Sequence, residues 1–233
     1  MQLSERLQTI AELVTPGNRL VDVGCDHGYL PIELIQRGII PGAIAMDVNP
    51  GPLSRAREHI AANGLENQIE TRLSDGLHAL KEGEGDTLVI AGMGGPLMER
   101  ILTEGAAVRD SFSELILQPQ SDLPHFRRYI RGEGYEILEE RMILEDGKYY
   151  PMMKAVRMDQ EEAYSEAEYW FGRKLLQEKN PVLHKYLERE KRIRLGILKN
   201  LEKADQETAI VRRQEVKEEL QQIEAALFYY ENM

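Results

Sequence analysis

The 233-residue sequence predicts an α/β domain, a mostly parallel seven-stranded sheet ending in an antiparallel hairpin, followed by a C-terminal α-helical coiled-coil domain. Three observations carry this expectation. Short apolar runs alternate with helical stretches through the first 131 residues, which implies parallel strands with right-handed crossovers. Two extended runs then meet at an Asp-Gly turn. Beyond residue 160 strand signals stop and two apolar stripes with helical spacing take over.

Taken in order, the first element is a helix with Ser4 as its N-cap, Leu7, Ile10, Leu13 and Val14 on one face, and Pro16-Gly17 as its stop. Strands are expected at 19–23, 43–46, 69–73, 87–91 and 115–117, with helices at 29–36, 50–63, 96–103 and 123–131. The runs 135–144 and 149–158 form a hairpin through Glu145-Asp146-Gly147-Lys148, which places an antiparallel strand at or near the sheet edge. Asn180-Pro181 reads as a cap and first-turn proline. Leu183, Leu187, Ile193, Ile197 and Leu201 make one stripe; Val216, Leu220, Ile223, Leu227 and Tyr230 make the other. A break near residues 204–207 makes them an antiparallel helical hairpin. The expected domains are 1–160 and 161–233.

Composition narrows the class. No window approaches the roughly 20 apolar residues of a membrane span, and the N-terminus lacks a secretory pattern. The single cysteine, Cys25, excludes an internal disulfide and a cysteine-based zinc site, which fits a reducing cytoplasm. The five histidines have no metal-ligand spacing, so no metal is expected. Net charge is −11, yet residues 173–203 hold ten basic side chains against four acidic ones. That excess is either a solvated helix face or a polyanion contact.

The candidate site lies at the ends of the parallel strands, where such sheets bind ligands. Asp22-Val23-Gly24-Cys25-Asp26-His27-Gly28 ends the first strand; Gly24 and Gly28 allow close backbone approach. With Asp47 some twenty residues on, the loop reads as the first strand–loop–helix unit of a nucleotide-cofactor site. A dinucleotide loop would carry glycine where Asp26 stands, because a carboxylate repels pyrophosphate. Asp26 instead favours a cationic ligand such as S-adenosylmethionine, or is a plain turn cap. Asp47, followed by Val48, is placed to accept ribose hydroxyls, and Asp75-Gly76 to meet an adenine. Gly92-Met93-Gly94 is a loop against which cofactor could lie, or a tight turn. Gln118, ending the fifth strand, offers an amide to a base edge.

These motifs resemble the class I, Rossmann-like S-adenosylmethionine-dependent methyltransferases. Leu3-Ser4-Glu5-Arg6-Leu7, residues 23–31, Ala91-Gly92-Met93-Gly94-Gly95 and the helical tail resemble the bacterial tRNA (adenine-N1)-methyltransferase family TrmK, which modifies adenosine 22. The resemblance implies S-adenosylmethionine as cofactor, tRNA as substrate, and a monomer without membrane or metal partners. It also implies Asp22, Gly24, Cys25, His27, Gly28, Asp47, Val48, Asp75, Gly76, Gly92, Met93 and Gly94 about the cofactor. Asp26 is then the catalytic carboxylate, stabilising charge on the adenine as it becomes cationic. Tyr29 and Gln118 would meet the base, and Arg189, Arg192, Arg194 and Lys199 the RNA phosphates. The Asn/Asp-Pro-Pro-aromatic motif of amine methylation is absent after the fourth strand, which suits a ring nitrogen with a free lone pair. Two rival readings remain at this point: a small-molecule methyltransferase, or a non-catalytic coiled-coil module.

Overall fold

The computed structural model describes residues 3–158, 162–201 and 207–231. The chain divides into two compact units, Met1–Glu139 with Tyr150–Glu161, and Glu140–Tyr149 with Glu162–Met233. A boundary at 160/161 keeps the hairpin whole, whereas its tip belongs to the second unit.

The first unit runs α1 (Glu5–Leu13), β1 (Leu20–Val23), a turn of 3-10 helix (Asp26–Gly28), α2 (Tyr29–Gln36), β2 (Ala43–Asp47), α3 (Pro50–Ala62) and β3 (Ile69–Leu73). It continues with β4 (Thr87–Met93), α4 (Gly95–Glu104), α5 (Ala106–Arg109), β5 (Glu114–Pro119) and α6 (Leu123–Gly132), then the hairpin strands β6 (Tyr135–Glu145) and β7 (Lys148–Arg157). The strand order is β3-β2-β1-β4-β5-β7-β6. All pairings from β3 to β5 are parallel, and β7 lies antiparallel to β5. The order reverses between β1 and β4, so a crevice opens at their carboxyl ends. Strands β1, β2 and β5 are buried along their whole length, as expected of strands covered on both faces. The expected elements are all present, and the hairpin places its first strand, β6, at the edge.

Helix α1 starts where Ser4 Oγ accepts from Leu7 N, and it ends at Leu13, before Pro16-Gly17. Its far end is tied to the sheet by a buried carboxylate. Glu114 accepts from Thr15 N at 2.9 Å, from Thr15 Oγ1 and Thr87 Oγ1 at 2.6 Å, and pairs with Lys154 Nζ at 2.7 Å. Burial alone would push its pKa up; Lys154 and the two threonines together bring it below the usual glutamate value. The stability this contributes is present above the ordinary glutamate range and is lost as pH falls through the lowered native pKa.

In the second unit, α7 (Glu166–Phe171) begins with a capping box between Ser165 and Glu168. It is followed by α8 (Arg173–Gln177), α9 (Pro181–Leu201) and α10 (Glu207–Glu231). The two short helices are not foreshadowed by the apolar stripes. Asn180 Oδ1 caps α9, accepting from Val182 N and Leu183 N. Tyr230 O–H donates to Asn180 O at 3.0 Å, Lys191 pairs with Glu224 at 3.2 Å, and Arg194 pairs with Glu219, so α9 and α10 run antiparallel. Leu183, Leu187, Ile223, Ala226, Leu227 and Tyr230 form the shared core with α7 and α8. The seam departs from the expected stripe at Ile193, which is 39% exposed. At 100° per residue the line from Leu183 and Leu187 continues to Glu190 and Arg194, not to Ile193, and the middle of the seam is ionic. Most of the expected break at 204–207 lies outside the described residues. Among the described residues no strand follows β7.

The Glu114 knot yields a test. Glu114→Ala strands Lys154 and is expected to cost about 3 kcal/mol in urea unfolding at pH 7, with a much smaller loss in the Glu114→Gln, Lys154→Met pair.

Candidate active site

The turn after β1 is the most constrained piece of backbone in the first unit. Gly24, Asp26, His27 and Gly28 have φ of +77°, +21°, +36° and +69°. Gly24 N and Cys25 N both donate to Met46 O, at 2.8 and 2.9 Å, which fastens the turn to β2. A Cβ on Gly24 would meet only the flexible end of the Met93 side chain, so it is the left-handed backbone conformation that calls for glycine there. Asp26 and His27 hold a conformation that L side chains adopt at a cost, a pattern concentrated at functional sites.

A cavity of about 450 Å³ opens beside this turn, walled by Asp22, Gly24, Cys25, Asp26, His27 and Tyr29 together with Leu3, Ser4, Arg6 and Leu7 of the α1 segment. Asp22, in β1, is buried, and its pKa is pushed up to about 7 by burial and then by Asp47, with Arg6 opposing. Burial and the neighbouring Asp22 and Asp47 also raise the Cys25 thiol pKa, which leaves it a buried neutral thiol. Asp26 is 64% exposed, with Arg55 Nη2 at 3.5 Å and His27 Nε2 at 3.4 Å. Asp47, buried at the end of β2, accepts from Asn49 N at 2.8 Å.

The rings of His27, Tyr29 and His59 lie within 20° of parallel, with centroids 5.0 to 5.4 Å apart. His27 O is 2.9 Å from His59 Nδ1, while the buried His27 Nδ1 has no hydrogen-bond partner among the described residues. Register puts Asp22 beside Val89, and Ala91, two residues on, beside Gln118, so Asp22 and Gln118 share one sheet face. Gln118 is wholly buried; its Oε1 accepts from Gly92 N at 3.0 Å and Arg6 Nη1 at 3.3 Å. Those two donors set the amide's orientation and leave Nε2 as a buried donor with no partner among the described residues.

The other expected residues are spread around this core. Gly92 has φ +78°, Met93 packs partly buried against the core, and Gly94 is the N-cap of α4. Gly76 has φ +57°, and Asp75 is ion-paired at 3.1 Å with Arg100 of α4. Val48 is 56% exposed. Arg189, Arg192, Arg194 and Lys199 all lie on α9, in the second unit. Arg194 departs from the expected outward set: it pairs with Glu190 at 2.7 Å and with Glu219, facing α10. The α1 contribution to the cavity was invisible to periodicity, which reads Leu7 as core and Arg6 as surface; the signal available was Arg6 next to the Ser4 cap. Among the described residues there is no cluster that could hold a metal ion and no helix long and apolar enough to cross a membrane.

The acidic turn, the glycine that admits a ligand against backbone, and a cavity large enough for a nucleoside conjugated to an amino acid suit a cationic nucleoside cofactor. S-adenosylmethionine is such a cofactor. Fold and cavity together define a class I S-adenosylmethionine-dependent methyltransferase. Residues 3–153 match the methyltransferase-domain family. The chain is 38% identical over 189 residues to the tRNA (adenine(22)-N(1))-methyltransferase of Bacillus subtilis, covering 79% of each sequence. The crystal structure of the B. subtilis m1A22 tRNA methyltransferase TrmK superposes with a TM-score of 0.87 at 32% identity, covering 97% of this chain and 99% of that one. TrmK of M. capricolum, in complex with S-adenosyl-homocysteine, gives 0.85 at 28% identity, covering 98% and 99%. The chain belongs to the TrmK family of tRNA (adenine(22)-N1)-methyltransferases.

The raised Asp22 pKa fixes the sign of two effects. The contribution of Asp22 to ligand-free stability is fully present below the ordinary aspartate range and is lost as pH rises towards 7, because its native pKa lies above the unfolded one. A cationic ligand needs the ionised form, so calorimetric affinity for S-adenosylmethionine should fall as pH drops from 7.5 to 5.5 (assay values of roughly these magnitudes bracket the native pKa). Asp22→Asn should unfold at a higher temperature than wild type near pH 8, bind at least about tenfold more weakly, and lose most of that pH dependence.

Proposed function

We propose that this protein, acting as a monomer in the cytoplasm, transfers the methyl group of S-adenosylmethionine to N1 of adenosine 22 in tRNA. The observation that carries the reading is the strained acidic turn of residues 24–28 at the cavity wall, in a chain of this family. When bound, S-adenosylmethionine supplies a methyl group already activated on a sulfonium. Asp22 and Asp47 place negative charge beside the β1 end, where a cation is to be held. Gly24, Gly92 and Gly94 leave room for ligand against backbone, and Asp75-Gly76 follows β3 on the adenine side.

Adenine N1 offers its lone pair in the ring plane and has no proton to lose, so no general base is needed. The work left to the protein is positioning and charge stabilisation. N1 sits on the pairing edge, so the base has to be turned out of any helix to enter the cavity. The His27 and Tyr29 rings offer it a stacking surface, and Gln118 Nε2 a donor for a ring nitrogen other than N1. As N1 is alkylated the ring becomes cationic, and Asp26 is the exposed carboxylate at the wall that meets this charge. Arg189, Arg192 and Lys199 of α9 supply phosphate contacts.

Mapping modified nucleosides in tRNA treated with the purified protein should find N1-methyladenosine at position 22 alone; a different base or a different position removes the reading. Asp26→Asn should lower kcat by roughly 10- to 100-fold while affinity for S-adenosylhomocysteine stays within about threefold. Gln118→Glu, which keeps an acceptor for Gly92 N and Arg6 Nη1 and loses the Nε2 donor, should lower kcat/KM for tRNA about tenfold and leave S-adenosylhomocysteine binding within about threefold.

A further inference from the structure

One face of α3 packs against the acidic turn of residues 26–28. Arg55, Ala56 and His59 share that face, at positions i, i+1 and i+4. Arg55 Nη2 stands 3.5 Å from Asp26 Oδ1, and a Cβ built on Gly28 would touch the Ala56 Cβ at 3.4 Å. The Arg55 pair is exposed at both ends and holds little. The half-buried His59 makes the closer contacts. Its Nδ1 is 2.9 Å from the His27 carbonyl oxygen, and its ring centroid lies 5.4 Å from that of His27 and 5.2 Å from that of Tyr29. With His27 and Tyr29 themselves 5.0 Å apart, the three rings stand at the corners of a triangle and not in a column.

A carbonyl oxygen only accepts, so His59 Nδ1 carries the proton and donates. The bond falls on one particular peptide, the link between His27 (φ +36°) and Gly28 (φ +69°). The N–H of this peptide donates to Cys25 O at 3.0 Å, within the turn itself. Its C=O is held from outside, by a side chain of a separate helix. Glycine takes either sign of φ, so Gly28 would follow a rotation of this peptide without steric cost. Such a rotation relieves His27 of its strained conformation and re-aims its ring against Tyr29, the first residue of α2. The contact from α3 opposes that relaxation.

We propose that His59 is a positioning residue for methyl transfer: its Nδ1–H bond to the His27 carbonyl keeps the strained turn, and with it the His27 and Tyr29 rings, in the arrangement that receives the adenine. This rests on the reading of that ring pair as the surface on which the base stacks, and it names the residue that fixes the pair. His59 moves no proton and acts through His27, which lines the cavity. Its contribution is to the placing of the base against the methyl group, where small displacements cost rate.

Nitrogen NMR of the full-length protein labelled at histidine reads the bond directly. At a pH of about 8, where an ordinary histidine is neutral, His59 should be protonated at Nδ1, the tautomer that its hydrogen bond selects. A His59 protonated at Nε2 overturns the bond. Three variants then separate bond from ring: His59→Asn keeps a donor at the Nδ1 position, His59→Phe keeps a ring, and His59→Ala keeps neither. Expected is a kcat for tRNA methylation about tenfold lower in the alanine and phenylalanine variants, and restored to within about threefold of wild type by asparagine. In all three, KM for tRNA and affinity for S-adenosylhomocysteine should stay within about threefold, and unfolding temperatures within a few degrees. An asparagine variant no better than alanine, or a phenylalanine variant as active as wild type, overturns the bond as the positioning contact. A kcat loss in alanine matched by lost S-adenosylhomocysteine affinity and a lower unfolding temperature overturns positioning in favour of general support of the fold. Methylation by wild type of a nucleoside other than adenosine 22 would remove the functional reading, while the ranking of the three variants on that nucleoside would still decide the role of His59.

Discussion

Everything at the site depends on a backbone constraint: β1 must reverse into α2 within a few residues while leaving its carboxyl end open. Left-handed or near-left-handed conformations at Gly24, Asp26, His27 and Gly28 achieve this, held by the double donation of Gly24 N and Cys25 N to Met46 O. The same geometry that spends conformational energy on Asp26 and His27 presents their side chains at the cavity wall. A relaxed turn would need glycines at these two positions and would present no carboxylate there. The strain and the chemistry are therefore one feature.

Two buried carboxylates in the first unit show how partners decide what burial means. Glu114 has a lysine and two threonines around it, so it stays ionised and fastens the α1 end to β5 and β7. Asp22 has Asp47 nearby and only a partly compensating Arg6, so its charged form is disfavoured. The first arrangement is complete and stabilises the fold. The second leaves the charged form of Asp22 disfavoured, at a cost in ligand-free stability as pH rises towards 7. Gln118 shows the same asymmetry in a neutral group: one end of its amide is doubly satisfied and the other has no partner among the described residues.

Helix α9 combines both principles on one cylinder. Its inward face passes from an apolar core at Leu183 and Leu187 to an ionic seam at Glu190, Arg194 and Glu219. Its outward face keeps the exposed cations Lys185, Arg189, Arg192 and Lys199. Counting basic residues along the tail cannot separate these faces: Arg194 pairs with Glu190 and Glu219 while its basic neighbours face outward. Geometry assigns it to the helical pair instead.

Much of this protein is local and therefore legible in one dimension. Period-two and period-3.6 patterns placed the strands and most helices, Ser4 and Asn180 marked helix starts, and Asp146-Gly147 marked the hairpin. The Gly24–Gly28 spacing marked the constrained turn beside the cavity, and the charge of Asp26 favoured a sulfonium ligand over a pyrophosphate. These rest on each residue's own conformational preference and charge, which travel with the sequence. Other features depend on residues far apart in the chain. Arg6 reaches Gln118 across 112 positions, Asp47 raises the pKa of Asp22 from a neighbouring strand, and Ile193 loses its place in the seam to Arg194. Burial, desolvation and helix phase are properties of surroundings rather than of residues, and only the tertiary structure supplies the surroundings.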